Sequence, residues 1–415
     1  MRILQTYPST MKGSVKISGS KNASLPIIVA ALLNDGKTIL KNIPNISDVR
    51  NLILCLKNIG IKTSFKKNVL VIDGSFNYHE LLFDEVKKFR ASYYLMGLFL
   101  TLFKEVKIYA PGGCQIGARP INFHIEGFKL SGVSVIQDTD VIHLKAEQLH
   151  SFCYQLPKKS LGATVNLILL ASKIEGVSII KNPSTEPEID DLIAFMNRLG
   201  IHVLRYSEMI VIDGCSNVNK KIVYQVMPDR IEAATFMVLG AKSRGIILKN
   251  VNVNHLFKPI EVLKKMGVTI IKYRNRLLVK ENTLLPIWVE SGDYPEISTD
   301  QMPLFYPLAI RGAGVSFFKE NIFESRFNVL KELLRTNADI SVCGNEVNIE
   351  GKTLLAGNDF TAKDLRGAAT LLIEAIFNGD SILKNLEYLE RGYEDIYRKL
   401  KLIHVNFKIL DERND

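Results

Sequence analysis

A cysteine held among glycines, with an arginine close behind, is a place to look for chemistry, and residues 110–122 read APGGCQIGARPIN. Gly112, Gly113 and Gly117 make this loop tight and let a ligand approach its backbone. Arg119 and the start of the helix that follows would lower the pKa of the Cys114 thiol. That suits a group able to give or take a proton, or to attack, near neutral pH. A thiol tolerated in a turn is the alternative, and the loop alone leaves both open. The chain's five cysteines are scattered and no two have close C-x-x-C spacing, so neither a disulfide framework nor a structural metal is expected. Cys55, Cys153, Cys215 and Cys343 read as small core residues.

A second set of polar residues falls at the starts of the most apolar segments: Lys21 with Asn22, Arg90 with Ser92, Ser160, Asp229 with Arg230, Asp300, and Asp364 with Arg366. A helix start offers unpaired N–H groups and the positive end of the peptide dipole, a ready anion site. Ser160, Asp300 and Asp364 are also good capping types. Capping does not account for Lys21, Arg90, Arg230 and Arg366, because the dipole repels cations there; these four call for an anion. Arg119, Arg326 in "FESRF" and Arg391 in "LERGY" lie in loops, where a planar guanidinium can grip a carboxylate or phosphate in two-pronged fashion. Together the cations describe a pocket for a small, heavily anionic molecule.

The elements that position these groups come from a repeat. ILKNIPNISDVRNLILCLKNIGIKTSFKKNVLVIDG from residue 39 matches IIKNPSTEPEIDDLIAFMNRLGIHVLRYSEMIVIDG from 179. Further copies begin near 107, 247, 317 and 382, making six at a spacing of about 69 residues. Each copy predicts a short strand ending in Lys-Asn or a variant, a polar loop, an amphipathic helix and a hairpin. Leu192, Phe195, Met196 and Leu199 form one such apolar stripe, closed by Gly200. Before each first strand lies a far more apolar helix: KNASLPIIVAALL, RASYYLMGLFLTLF, GATVNLILLAS, RIEAATFMVLGA, TDQMPLFYPLAI and DLRGAATLLIEAI. Helices apolar on nearly all faces are interior ones. The unit is too long for a solenoid, so three repeats per domain, with inner helices meeting on a local three-fold axis, are expected.

Composition fits that reading. At 47% hydrophobic and 23% charged residues, the chain can bury a large core. The formal charge of +10 favours anionic ligands, or reflects a Lys-rich composition. It is spread without a basic block, which argues against a nucleic-acid module. The start lacks a signal-peptide pattern and no apolar run reaches the ~20 residues of a membrane span. A cytoplasmic protein with no membrane partner is the expectation.

The segments GSKNASLPI, FRASYYLMG, PGGCQIGARPI, KSLGATVN, EPEI, PDRIEAATF, STDQM, FESRF, DLRGAATLLIEAI and ERGYEDI, in this order, resemble the enolpyruvyltransferases over the whole chain, in the branch that acts on UDP-N-acetylglucosamine. The resemblance implies an α/β fold of two inside-out α/β barrel domains, each of three βαβαββ units. Residues 21–228 would form one domain and 1–20 with 229–415 the other, with the active site in the cleft between them. It implies transfer of enolpyruvate from phosphoenolpyruvate to the 3'-hydroxyl of UDP-N-acetylglucosamine, with release of phosphate, in peptidoglycan synthesis. No cofactor or metal is implied, and a monomer or weak oligomer is expected. By the match, Cys114 is the proton donor, open to a covalent adduct and to the epoxide fosfomycin. Asp300 receives the attacking hydroxyl. Lys21, Arg119 and Arg391 hold the phosphate, and Arg326 and Arg366 the carboxylate. Asn22 touches the sugar and Arg90 the diphosphate. Pro120, Ile121, Asn122, Phe123, Lys158, Lys159, Ser160, Leu161, Gly162 and Ile322 line the nucleotide-sugar site. Asn122 stands where the family usually has Asp, Ser325 where Asn is common, and STDQM departs from the usual order. These departures point to an alternative, a paralogue using another nucleotide or UDP-sugar acceptor.

Overall fold

A computed structural model describes residues 2–74, 76–110, 121–137, 140–214, 218, 220–351 and 356–411. The chain divides into two units. One takes the start of the chain through Ser18 and everything from Pro228 onward; the other holds the described residues from Gly19 to Met227. Each has its own hydrophobic core, one drawn from residues 23–227 and one from 4–17 and 233–405. Two closed cores mean that each unit buries enough apolar surface to hold itself together.

Among the described residues the repeat is visible as six sheets, five of four strands and one of three. The third copy within the Gly19–Met227 unit shows the pattern whole. Strand Cys153–Gln155 pairs in parallel with Val177–Lys181, which pairs antiparallel with the hairpin His202–Arg205/Met209–Asp213. A parallel pair needs a crossover, and helix Leu161–Ala171 supplies it. Every residue from Gly162 to Ala171 is buried, as an all-apolar helix requires. The amphipathic helix Pro187–Leu199 buries Leu192, Phe195, Met196 and Leu199, and ends on Gly200 at φ +98°.

Chain order and repeat order do not coincide. Strand Ile222–Gln225, last in the Gly19–Met227 unit, pairs in parallel with Thr38–Lys41 of its first repeat. In the second repeat the parallel partner shrinks to a single bridge, Leu81 with Ile108. In the other unit, Gly13–Lys16 pairs in parallel with Ile246–Lys249, while Arg2–Thr6 lies antiparallel between Ser381–Lys384 and Phe407–Asp411. The chain's first residues thus complete two different repeats. The expected α/β class is what is found; every sheet is open, and no closed strand barrel forms among the described residues.

Three expectations need correction. TDQMPLFYPLAI is not a continuous helix: Pro303 and Pro307 each lack an N–H, and the segment becomes a 3₁₀ turn, Met302–Phe305, then a single α turn, Tyr306–Ala309. Of the cysteines read as core, Cys55 is buried but Cys153 and Cys343 are exposed. Strand alternation turns Tyr154 inward and its neighbour Cys153 outward, which composition cannot foresee. Cys215 lies outside the described residues. No described helix is long and apolar enough to cross a membrane.

Candidate active site

In the unit holding residue 300, three inner-helix starts converge. Asp229 caps helix Arg230–Gly240, accepting from Ile231 N at 2.8 Å and Glu232 N at 2.9 Å. Asp364 caps helix Leu365–Asn378, accepting from Arg366 N at 2.9 Å and Gly367 N at 3.0 Å. Asp300 precedes Gln301, the N-cap of the 3₁₀ turn at Met302, which makes no side-chain cap bond. Its carboxylate goes to two guanidinium groups instead. Arg326 Nη2 donates to Oδ1 at 2.7 Å and Arg366 Nη2 to Oδ2 at 2.9 Å. Gln301 Nε2 reaches Arg230 O at 3.5 Å, tying the third start to the first.

The electrostatics are those of a buried clasp. The side chains of Arg326 and Arg366 are 3% and 8% exposed, while Asp300 keeps 28%, so the acid is the most solvent-exposed member of the clasp. Burial works against the Arg366 charge, but Asp300 first, then Tyr393 and Asp229, outweigh it and hold its pKa above the ordinary value. Tyr393 is buried with its hydroxyl 2.8 Å from Thr235 Oγ1; burial raises its pKa. The Arg230 guanidinium lies 5.6 Å from the centre of the Tyr294 ring, a cation–π contact. Arg326 is gripped from behind: its Nε donates to Thr299 Oγ1 at 3.0 Å, and Thr299 Oγ1 donates to Glu320 Oε2 at 3.0 Å. Beneath them the Tyr306 ring packs edge-on to Phe318, its phenol pKa raised by burial and then by Glu320.

In the Gly19–Met227 unit the helix starts are held differently. Ser20 caps Lys21–Ala30, accepting from Ala23 N at 3.3 Å, and Ser160 caps Leu161–Ala171, accepting from Ala163 N at 3.3 Å. Lys21 Nζ meets Asp48 Oδ2 at 2.7 Å, so one anion it calls for comes from the chain itself, at the start of outer helix Ser47–Asn58. Arg90 lies 5.4 Å from the centre of the Tyr93 ring, and Tyr93 meets the His124 ring edge-on at 4.9 Å. Asn166 Nδ2 approaches His124 Nδ1 at 2.9 Å, and Asn166 Oδ1 accepts from Gly97 N at 2.9 Å. An amide donor facing Nδ1 requires a neutral ring, and burial, then the Arg90 charge, push His124 down to about 3. The inner helices approach closely here. A Cβ on Gly97 would collide with Asn166 O, and one on Gly162 would meet the Tyr93 hydroxyl.

The structure therefore joins Asp300, Arg326 and Arg366 directly, and sets Ser160, Leu161 and Gly162 beside the Arg90–Tyr93 pair. Asn122 is exposed at the start of helix Asn122–Leu130, between the half-buried Ile121 and Phe123. Lys158 and Ile322 are exposed, and Asn22, Lys159 and Arg391 half-buried. Arg391 follows the short helix Glu387–Glu390, its N–H donating to Glu387 O at 3.2 Å. Gly112, Gly113, Cys114, Gly117, Arg119 and Pro120 lie outside the described residues. Sequence reasoning missed Asp48, Thr299, Glu320, His124 and Asn166. A signal for some of them existed in the repeat register. Counting from the strand-ending lysines Lys41, Lys181, Lys319 and Lys384, one and the same position holds the charged Asp48, Glu188, Arg326 and Arg391, whereas counting from Lys249 it holds Leu256.

A two-unit, six-repeat α/β fold with charged inner-helix starts defines a class, and the class is met in the comparisons. The family described as EPSP synthase (3-phosphoshikimate 1-carboxyvinyltransferase) matches residues 5–400, and the chain belongs to it. Among its relatives are proteins named UDP-N-acetylglucosamine 1-carboxyvinyltransferase. That of Halothermothrix orenii is 36% identical over 403 residues, spanning 96% of this chain and 97% of the relative. That of Thermotoga maritima is 36% identical over 413 residues, spanning 98% of each. Of solved structures, the enolpyruvyl transferase NikO from Streptomyces tendae superposes with a TM-score of 0.90 at 20% identity over 99% of both chains. EPSP synthase from Acinetobacter baumannii superposes with 0.80 at 18% identity, over 99% of this chain and 100% of that one. At those identities the two structures establish the fold.

Proposed function

We propose that this chain transfers the enolpyruvyl group of phosphoenolpyruvate to the 3'-hydroxyl of UDP-N-acetylglucosamine and releases phosphate, the step that commits the sugar nucleotide to peptidoglycan. The names of relatives that align along nearly the whole chain support the activity. The observation that carries the chemistry is the clasp of Asp300 by Arg326 and Arg366, an acid presented on a base of two buried cations.

The reaction adds and then eliminates. The 3'-oxygen bonds to C2 of the donor while its proton passes to Asp300. The methylene carbon takes a proton from Cys114, giving a tetrahedral ketal that still carries phosphate. A proton then leaves the methyl group, the C–O bond to phosphate breaks, and the double bond re-forms. The donor is trianionic, so its desolvation needs preorganised cations. Arg326 and Arg366 take the carboxylate. Lys21, Arg119 and Arg391 take the phosphate. Arg90 takes the diphosphate of the acceptor, Asn22 its sugar, and Ile121 to Phe123, Lys158 to Gly162 and Ile322 the remainder. Phosphate release that depends on both substrates is the test. Inactivation by fosfomycin, with a Cys114→Asp variant that turns over but resists the epoxide, assigns the thiol; turnover unchanged in Cys114→Ala removes it. Exposed Asn122, at a position the family usually gives to Asp, favours a screen of other UDP-sugars and nucleotides as acceptors.

A further inference from the structure

Glu320 is a carboxylate buried at the end of strand Val315–Lys319. Its two oxygens have different duties. Oε1 accepts from Ser291 Oγ at 2.8 Å, Ile322 N at 2.8 Å and Phe323 N at 3.1 Å, which folds the loop after the strand. Oε2 accepts from Thr299 Oγ1 at 3.0 Å and so takes that hydroxyl's only proton. With its proton committed, Thr299 Oγ1 can only accept on its remaining side, and what it accepts is the Nε–H of Arg326 at 3.0 Å. The inner edge of the guanidinium is thereby fixed, and its outer Nη2 falls on Asp300 Oδ1 at 2.7 Å.

From this chain of bonds we infer that Glu320, acting through Thr299, is a positioning pair that aims Arg326 at Asp300 and at the donor carboxylate. The inference rests on the function proposed above. Neither residue is among the substrate contacts proposed above. A loop-folding role would need only Oε1; the direction of the Thr299 hydroxyl is the added feature. Glu320→Gln separates the two roles. Three donors converge on the Oε1 site, so the amide oxygen takes that place and keeps the loop. The amide nitrogen then faces Thr299 and reverses its hydroxyl.

The experiment compares Thr299→Val, Thr299→Ser and Glu320→Gln with the wild type in kcat, KM for phosphoenolpyruvate and thermal midpoint. Thr299→Val and Glu320→Gln should each lose about 10- to 100-fold in kcat/KM with little change in melting, the scale expected when a reacting group is misplaced by an ångström or less. Thr299→Ser should recover to within a few-fold, and the double variant should be no worse than Thr299→Val. Wild-type turnover in Thr299→Val overturns the inference, as does a loss that Ser fails to rescue. If Glu320→Gln does not fold, the Thr299 pair decides alone. A wild type that releases no phosphate defeats the functional reading instead. In that event the ¹⁵N resonance of Arg326 Nε–H still decides the positioning: protected from exchange in wild type and Thr299→Ser, and exchanging freely in Thr299→Val, with equal protection in all three overturning it.

Discussion

The pairs Lys21–Asp48 and Asp300–Arg326 occupy corresponding places in two repeats, one in each unit. Each joins an inner-helix start to a residue at the same distance past a strand-ending lysine, Lys41 or Lys319, and each closes at 2.7 Å. The signs are reversed. In the Gly19–Met227 unit the more exposed member is the cation, Lys21 at 14% against 6% for Asp48. In the other it is the acid, Asp300 at 28% against 3% for Arg326. One architecture therefore presents an ammonium on a carboxylate footing in one unit and a carboxylate on a guanidinium footing in the other. The lesson is that the repeat keeps a pairing geometry, while the order of charges within it decides whether that unit offers a cation or an acid to a ligand.

Removing the acid should give the largest effect. Asp300→Ala should lower kcat/KM for phosphate release by about 10³-fold, within the range for a lost proton acceptor. It also strands two buried arginines. Breaking a buried pair costs roughly 3–5 kcal/mol, and the partial exposure of Asp300 places this variant near the lower end. Denaturant unfolding checks the stability and a phosphate assay the rate. Reversing the other pair, with Lys21→Asp and Asp48→Arg together, should keep the unit folded and cost about 10²-fold in kcat/KM, since the pairing survives and the charge offered to the donor phosphate does not. Activity near wild type in that double variant would break the comparison.

How much of this was legible in the sequence follows from what each signal encodes. The six repeats, the inner helices and the stripe Leu192–Phe195–Met196–Leu199 were readable because burial writes itself as apolar periodicity. Asp300, Arg326 and Arg366 were readable as charges in costly places. Their mutual pairing was not, because Asp300 and Arg366 come together only through the fold. Asp300 is also a good capping type, and residue type alone does not tell a cap from an acid held by two guanidinium groups. His124 and Asn166 carried no signal, since a polar residue inside an apolar segment looks alike whether or not a partner waits on the next helix.

The uncharged part of the Gly19–Met227 unit tests the comparison from its neutral side. Gly97→Ala would drive a methyl into Asn166 O, and the inner helices would have to part; a loss of about 1–3 kcal/mol is expected, read from denaturant midpoints. Asn166→Ala leaves His124 Nδ1 without its partner and should cost a similar 1–3 kcal/mol, roughly the penalty for a buried polar group left unmatched.

The smallest effect is one of pH, and it arises from two groups of this same unit that oppose each other. His124 titrates near 6.5 when unfolded and near 3 when buried, so between those values the unfolded chain binds more protons and stability climbs as pH rises. Asp191 runs the other way. Burial raises it from 3.8 to about 6, even though Tyr224 Oη donates to it at 2.7 Å and Met227 N at 3.0 Å. Between 3.8 and 6 the folded chain holds the extra proton, and stability falls as pH rises. Each slope approaches about 1.4 kcal/mol per pH unit, and across the shared window they largely cancel. Asp191→Asn should uncover the histidine, with unfolding free energy rising by about 1 kcal/mol per unit from about pH 4.5 to 5.5 relative to wild type. His124→Gln should show a relative fall of like size over the same interval. If Asp191→Asn keeps the wild-type profile while His124→Gln flattens its rise, Asp191 is ionised in the folded chain, and the pH dependence belongs to His124 alone.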